Sequence, residues 1–279
     1  MKKEKKTGKF WQAVKHELRE NRSAFLVYSL LRVMVIGMMI LQMFNGNFQN
    51  VFLCILTLVL LVMPSVVQAT FKVEFPTLLE IIILLFIFAA EILGEISAFY
   101  IKFPYWDTVL HTLNGFLCAA IGFALIDILN RNEKIKFKLS PMFLAIVAFC
   151  FSMTIGVLWE FFEFFCDAFL GMDMQKDFVI SSITSTYLGE STKNPVVIED
   201  IQTVAVNGMP LAVDGYLDIG LYDTMKDLFV NFIGAVVFSI IGFFYVKTRG
   251  RGKIAKQFIP QLKNDKLNEV SEEKAGENK

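Results

Sequence analysis

Six apolar stretches, each long enough to cross a bilayer, constrain this chain more than any other feature. A helix needs roughly 20 residues to span about 30 Å of hydrocarbon. The chain has six apolar runs of that length, at residues 24–44, 51–70, 77–96, 108–129, 141–165 and 225–246. Hydrophobic residues make up 55% of the 279 residues, too many for a soluble fold to cover with polar side chains. We therefore predict an all-α polytopic membrane protein with six transmembrane helices.

Cysteine spacing and charge balance exclude several other classes of protein. The four cysteines lie in or at the end of apolar runs and show no C-x-x-C spacing, which argues against a disulfide framework and a thiolate zinc site. Lys and Arg together number 27, the same as Asp and Glu, and no basic stripe carries interleaved aromatic residues. A nucleic-acid partner is therefore not expected.

Basic residues indicate how the chain is oriented in the membrane. Residues 1–22 contain eight Lys and Arg, the connection at 130–140 contains four, and the residues after Val246 contain nine. The alternate connections contain three, at Lys102, Lys176 and Lys193. Because Lys and Arg in short flanking segments stay in the cytoplasm, we expect both termini on the cytoplasmic side of a bacterial inner membrane. Membrane lipid is therefore an expected partner.

This reading divides the chain into a membrane domain and two basic ends. We expect a cytoplasmic interfacial helix at residues 1–23, the six-span domain at 24–246 and a mostly disordered cytoplasmic tail at 247–279. An outward loop occupies residues 166–222. Within it, residues 198–213 alternate apolar and polar side chains around Asn207-Gly208, a pair favoured in hairpin turns, while Pro210 is tolerable only at a sheet edge. The loop is therefore predicted to contain a small β-hairpin.

Ionisable and amide side chains cluster at the outward ends of the last four spans. Ionisable groups are costly inside a membrane and face protein or water rather than lipid, so they point to a site. Within each span they recur at spacings that place them on one helix face. They are Glu91 and Glu95; Asp107, His111 and Asn114; Glu160 and Glu163; and Asp223, Asp227 and Asn231. We expect the four groups to converge in one layer.

The excess of acids in this layer suggests two kinds of chemistry. Seven carboxylates face His111, with Lys226 as a second internal partner, and like charges held close together cannot all stay ionised. One hypothesis is a divalent cation such as Mg²⁺, Mn²⁺ or Zn²⁺, with the candidate ligands Asp107, His111, Glu160, Glu163, Asp223 and Asp227. The other is acid/base catalysis, in which His111 is the base, Asp107 orients it, and Glu160, Glu163 and Asp227 are acid partners.

A structural role is the alternative for the same residues. Polar side chains also join transmembrane helices, and acids at span ends can lie in the headgroup region. Trp106 and Trp159 are interpreted as residues of the interfacial aromatic belt. Five glycines are predicted to permit close helix packing: Gly115, Gly122, Gly156, Gly234 and Gly242.

Three runs in this region carry a family resemblance: Trp106-Asp107-x3-His111-x3-Gly115, Trp159-Glu160-x2-Glu163 and Asp223-Thr224-x2-Asp227-x3-Asn231-x2-Gly234. Over roughly residues 78–246 the chain resembles the YjdF-type uncharacterised bacterial inner-membrane proteins and, more distantly, the VanZ-like family. VanZ-like proteins have Asp-x3-His, Glu-x2-Gln and Asp-x3-Asn in the same order. This chain departs from that pattern in Glu163, in Thr108 and in its longer outer loop. The resemblance implies an envelope location, because VanZ-like proteins are linked to glycopeptide-antibiotic tolerance.

The sequence leaves three functions open. The first is an enzyme that uses metal-assisted or acid/base chemistry on a lipid-linked envelope substrate. The second is a proton- or cation-coupled transporter in which the same acids relay protons or bind cations, although the sequence shows no inverted repeat. The third is a non-catalytic envelope factor whose outer loop binds a partner.

Overall fold

The computed structural model describes residues 22–71, 73–131, 138–189, 194–248 and 257–262. The predicted interfacial helix at 1–23 lies almost wholly outside the described residues. Most of the predicted tail at 247–279 and most of the basic connection at 130–140 also lie outside them.

The described residues contain six helical segments long and apolar enough to cross a membrane, which confirms the predicted fold class. The first span is α1 (Arg22–Phe44), and the second consists of α2 (Phe48–Leu60) and α3 (Met63–Phe71). The third is α4 (Thr77–Phe88), which continues as a π-helix (Ala89–Ile96). A short helix, α5 (Phe99–Lys102), precedes the last three spans, α6 (Trp106–Arg131), α7 (Pro141–Leu170) and α8 (Leu221–Lys247).

The second span is interrupted between α2 and α3. Asn47 caps the start of α2, where its Oδ1 accepts a hydrogen bond from the Asn50 N–H at 3.1 Å. Pro64 stands in the first turn of α3, the part of a helix where a missing N–H breaks no helical hydrogen bond. The apolar run is therefore continuous in sequence, but the helix ends at Leu60 and a new helix begins at Met63, one residue before Pro64.

Contacts divide the chain into two compact units. The first comprises Met1–Gly156 and Val230–Lys279, and the second comprises Val157–Phe229. Helices α7 and α8 each contribute residues to both units. One apolar cluster of the first unit includes residues of α1, α2 and α4, and a second cluster joins α6, α7 and α8 through Phe123, Leu144 and Phe238.

Glycines allow α6 and α8 to cross with their backbones in contact. A Cβ atom added at Gly115 would lie 2.0 Å from the Asn231 carbonyl oxygen, and one added at Gly234 would lie 1.9 Å from the Thr112 carbonyl oxygen. Both distances are far below van der Waals contact, so these positions exclude every larger residue at the observed spacing. The predicted packing role of Gly115 and Gly234 is confirmed, and Gly122, Gly156 and Gly242 also lie against neighbouring side chains.

Short antiparallel strand pairs complete both units. In the first unit, β1 (Val73–Glu74) pairs with β8 (Gln261–Leu262). In the second, β2 (Phe178–Ile180) pairs with β7 (Tyr216–Asp218), β3 (Ile183–Ser185) with β4 (Val196–Ile198), and β5 (Ala205–Val206) with β6 (Met209–Pro210).

The β5–β6 pair confirms the predicted hairpin. Its turn residues Asn207 and Gly208 have φ angles of 53° and 79°, as a type I′ turn requires. Pro210 lies in a two-stranded sheet, where every strand is an edge.

Candidate functional site

The predicted site residues fall into two groups, one in each unit. Asp107 and His111 belong to the first unit, whereas Glu160, Glu163, Asp223 and Asp227 belong to the second. That both groups share one site stays a prediction from the sequence.

In the first unit, Asp107 and His111 form a close pair on the first two turns of α6. Their i, i+4 spacing places both side chains on one helix face, and His111 Nε2 lies 3.4 Å from Asp107 Oδ1. The His111 side chain is 12% exposed and the Asp107 side chain is 14% exposed, so the pair is largely shielded but still reachable from solvent. A carboxylate beside an imidazole orients the ring and stabilises its protonated form.

Trp106 anchors the start of α6, immediately before this pair. Its indole Nε1–H donates to the Ala89 carbonyl oxygen at 3.3 Å, and its ring packs edge-on against Phe99 with centroids 4.9 Å apart. From the sequence, Trp106 is interpreted as a residue of the interfacial aromatic belt. The structure adds that it ties α6 to the π-helix of the third span.

Asn114 and Asn231, predicted as part of the polar stripe, join α6 and α8. The Asn114 Nδ2–H donates to Asn231 Oδ1 at 3.0 Å, and Asn231 is 1% exposed. Gly156 provides room for the Asn231 amide, since a Cβ there would lie 2.8 Å from Nδ2. A buried amide pair with this geometry stabilises a helix contact. These two residues therefore have a structural role that the sequence pattern alone did not distinguish from a role in a site.

An apolar groove of about 340 Å³ is lined by other residues of α6 and by residues of α8. Val109, Leu113 and Phe116 of α6 and Val237 of α8 line it. Thr108 and Thr112 also line it, and the Thr112 hydroxyl already donates to the Thr108 carbonyl oxygen at 2.7 Å. The groove therefore offers mainly hydrocarbon contacts.

In the second unit, four carboxylates lie at the end of α7 and the start of α8. Glu160 and Glu163 are spaced i, i+3, and Asp223 and Asp227 are spaced i, i+4, so each pair shares a helix face. Their exposed fractions are 5%, 7%, 4% and 1%. The negative charges of Glu160, Asp227 and Asp223 all act on Glu163. We call Glu160, Glu163, Asp223 and Asp227 the acidic cluster.

Lys226 supplies positive charge to one side of the acidic cluster. Its Nζ lies 3.6 Å from Asp223 Oδ1 and 3.7 Å from Asp227 Oδ1, and it is also 5.4 Å from the centre of the Phe178 ring. Asp223 Oδ2 accepts a hydrogen bond from the backbone N–H of Lys176 at 2.8 Å. Lys226, predicted from the sequence to be a second internal partner of the acids, therefore contacts Asp223 and Asp227.

The structure gives Trp159 a role that the sequence did not predict. Its indole Nε1–H donates to Glu163 Oε1 at 2.8 Å. An indole N–H can donate a hydrogen bond but cannot accept one, so Glu163 Oε1 must be the acceptor and cannot donate a proton in this contact. The contact holds the Glu163 carboxyl group in one orientation. The i, i+4 spacing of Trp159 and Glu163 is the sequence signal that could have indicated the contact.

Asp167 organises the loop that follows α7, and sequence reasoning did not single it out. Its two carboxylate oxygens accept the backbone N–H groups of Met174 and Gln175 at 2.6 Å and 2.8 Å. The Gln175 side chain then donates to Thr224 Oγ1 at 2.6 Å. This chain of hydrogen bonds fixes the loop beside the start of α8, next to Asp223.

The described residues include six helices long and apolar enough to cross a membrane, several with buried ionisable side chains, as expected of a polytopic membrane protein. Residues 26–248 match a family described as predicted membrane protein (DUF2238), and the chain belongs to that family. The resemblance to YjdF-type proteins is consistent with this membership, whereas the comparisons do not show the VanZ-like resemblance. Neither the curated proteins nor the solved structures include a match.

Proposed function

We propose that this membrane protein carries out acid/base chemistry on the polar part of a membrane lipid or lipid-linked envelope substrate. One observation carries the proposal: a largely shielded Asp107–His111 pair and an apolar groove are both built on the same helix, α6. A polar reacting group and a hydrocarbon chain are the two parts of an amphiphile. The pair suits the first part, and the groove suits the second.

His111 is the proposed proton acceptor, and Asp107 is the proposed positioning residue. With a proton on Nε2 directed at Asp107, the other ring nitrogen of His111 keeps its lone pair and accepts a proton from a substrate hydroxyl or a water molecule. Asp107 stabilises the imidazolium that results. The 3.4 Å separation is long for a hydrogen bond, and such contacts commonly shorten when the substrate binds.

The groove supports a substrate with a hydrocarbon chain. Its volume of about 340 Å³ lies at the lower end of the range of roughly 300–1,000 Å³ found for small-molecule sites. Its lining is mostly apolar and belongs to helices long enough to cross a membrane. A hydrocarbon chain reaches such a groove from the bilayer, while a fully polar substrate gains little from it.

For the acidic cluster we propose a divalent cation as its ligand. Four buried carboxylates repel one another, and the single charge of Lys226 contacts two of them. Carboxylates crowded in a low-dielectric site need protons or a cation to balance them. Oxygen-only ligands suit Mg²⁺ or Mn²⁺, and a bound cation would polarise a phosphate or carbonyl oxygen of the substrate.

Lipid analysis tests the acid/base proposal. Membranes from bacteria that overproduce the protein are compared by mass spectrometry with those that overproduce His111→Ala or Asp107→Asn. We expect the unchanged protein to alter one class of lipid or lipid-linked species and both variants to lose that effect. Glu199→Gln is the matched control, because Glu199 is an exposed acid of the outer loop. An altered lipid class that persists in His111→Ala would overturn the proposal, and cation uptake without any lipid change would favour a transporter.

Cation binding is tested on detergent-purified protein. Mn²⁺ titration followed by electron paramagnetic resonance should show a bound ion in the unchanged protein and in Glu199→Gln. Glu160→Gln and Asp227→Asn should each weaken binding at least about tenfold, the range expected when one ligand or its support is removed. Equal Mn²⁺ affinity in all four proteins would contradict the cation proposal and leave the Asp107–His111 proposal standing.

We also propose that the protein lies in a bacterial inner membrane with both termini in the cytoplasm. The support is the distribution of Lys and Arg, with 21 in the two terminal segments and the 130–140 connection and three in the alternate connections. Alkaline phosphatase fused after Lys138 should be inactive, and the same enzyme fused after Gly208 should be active. The reverse pattern would refute the orientation.

A further inference from the structure

The third span contains a buried carboxyl group that the proposed function does not use. Glu91 is 2% exposed, and its Oε2 atom is fully buried. Among the described residues, no donor forms a hydrogen bond to that oxygen. Buried polar atoms in native proteins nearly always have a partner, so this exception calls for an explanation.

Glu91 stands in the first turn of the π-helix, a segment whose residues other than Glu91 and Glu95 are apolar or glycine. Phe88, three residues before Glu91, and Ile92, which follows it, are buried as well. The π-helix shows its wide turn in the hydrogen bond from the Ser97 N–H to the Ile92 carbonyl oxygen, five residues back, at 3.0 Å. Such segments are rare and occur often at functional sites.

In the part of the chain that the structure describes, the elements packed against this segment place no counter-charge on Glu91. The π-helix contacts α2, α4, α5 and α6. Helix α2 contains no charged residue, and in α4 Glu80 Oε1 accepts a hydrogen bond from Gln68 Nε2 at 3.4 Å. In α5, the Lys102 Nζ donates to the Ser97 carbonyl oxygen at 2.7 Å, and in α6 Asp107 and His111 face each other. The other ionisable residue of the π-helix is Glu95, which is also an acid and supplies no positive charge.

A charged carboxylate cannot persist in this setting. An ionised group in an apolar interior without a counter-charge is so costly that it takes up a proton instead. We propose that Glu91 is a proton-binding site of the third span, whose carboxyl group is protonated at neutral pH. The site is independent of the Asp107–His111 pair and of the acidic cluster, so its failure would leave both proposals intact.

A protonated carboxyl in an apolar setting has a characteristic reactivity. Dicyclohexylcarbodiimide partitions into membranes and reacts with the acid form. The acid proton moves to one carbodiimide nitrogen while the carboxylate oxygen bonds to the central carbon, so the adduct contains every atom of both reactants. A glutamate in water is protonated to only about 0.2% at pH 7, whereas a glutamate that holds its proton is fully reactive.

Carbodiimide labelling of the unchanged full-length protein is the first test. After reaction at pH 7 in detergent, peptide mapping by mass spectrometry should place the adduct on Glu91, with at least about a hundredfold less on the exposed Glu199, in line with the protonated fractions. Labelling should persist when the reaction is repeated at pH 8. Adducts on other carboxyl groups but none on Glu91 would overturn the proposal.

Infrared spectroscopy gives a second readout that needs no reagent. The spectrum of the unchanged protein minus that of Glu91→Gln should contain the carbonyl band of a protonated carboxylic acid at pH 7. The carboxamide has the same shape and no charge, so we expect Glu91→Gln to fold with an unchanged melting temperature. The control difference with Glu199→Gln should show ionised carboxylate bands instead. A Glu91 difference spectrum with only ionised carboxylate bands would refute the site.

Discussion

Replacing Gly234 by alanine tests the close crossing of α6 and α8. The added methyl group would lie 1.9 Å from the Thr112 carbonyl oxygen. Carbon and oxygen atoms in contact stay about 3.5 Å apart, so the helices must separate locally by roughly 1.6 Å. The contacted atom belongs to the backbone of a helix, so no side-chain rotation can relieve the clash.

The expected loss of stability is about 2–3 kcal/mol. Overpacking typically costs about 1–3 kcal/mol, and a clash with backbone belongs at the upper end of that range. Separation of the helices also weakens the 3.0 Å hydrogen bond between Asn114 and Asn231, worth about 0.6 kcal/mol in a membrane protein. Alanine offsets part of this by about 0.5–1 kcal/mol, because it loses less backbone entropy than glycine in a helix.

Gly37→Ala is the matched control for this measurement. Gly37 lies in α1, and a Cβ added there meets nothing within 4 Å. Unfolding by SDS titration in mixed micelles should therefore find Gly37→Ala as stable as the unchanged protein or slightly more stable. Gly234→Ala should unfold at a clearly lower SDS fraction. Equal stability of the two variants would refute the backbone contact between α6 and α8.

Three further substitutions test the second unit by the same unfolding assay. Trp159→Phe removes the indole donor to Glu163 and should cost about 1–3 kcal/mol, whereas unchanged stability would show that the contact is not formed. Asp167→Ala leaves two loop N–H groups without their acceptor and should cost about 1–2 kcal/mol, a loss that Glu199→Ala should not reproduce. Desolvation and three neighbouring aspartates raise the pKa of the mostly exposed Asp177, so its ionisation opposes folding. Stability should therefore fall slightly as pH rises above the ordinary aspartate value of about 3.9, and Asp177→Asn should lessen that fall in a series of melting temperatures against pH.

Local sequence patterns predicted the spans and the hairpin because each depends on neighbouring residues alone. A run of about 20 apolar residues has few alternatives to a membrane helix. Asn207-Gly208 supplies the two positive φ angles of a tight turn. The β2–β7 pair gave no comparable signal, because Phe178 and its partner Asp218 are separated by the other two strand pairs of the loop.

The candidate site was predictable in its residue types but not in its contacts. Spacing indicated which acids share a helix face, and the structure confirms that Asp107 and His111 are adjacent. Spacing could not separate Asn231, which is used in helix packing, from residues of a site, because both patterns place polar groups at i and i+4. The π-helix was equally invisible, since Glu91 and Glu95 fit an ordinary helical turn in sequence.

The pairing of β8 with β1 has a consequence for the order in which this protein matures. Val73 pairs with Leu262 in the backbone ladder, and the nearby Ile259 is 2% exposed in the cluster formed by α6, α7 and α8. These residues leave the ribosome after all six spans have been synthesised. The connection between the second and third spans therefore waits for its strand partner until the sixth span has been synthesised. A chain that stalls after Val246 would contain all six spans yet leave that connection without its strand partner.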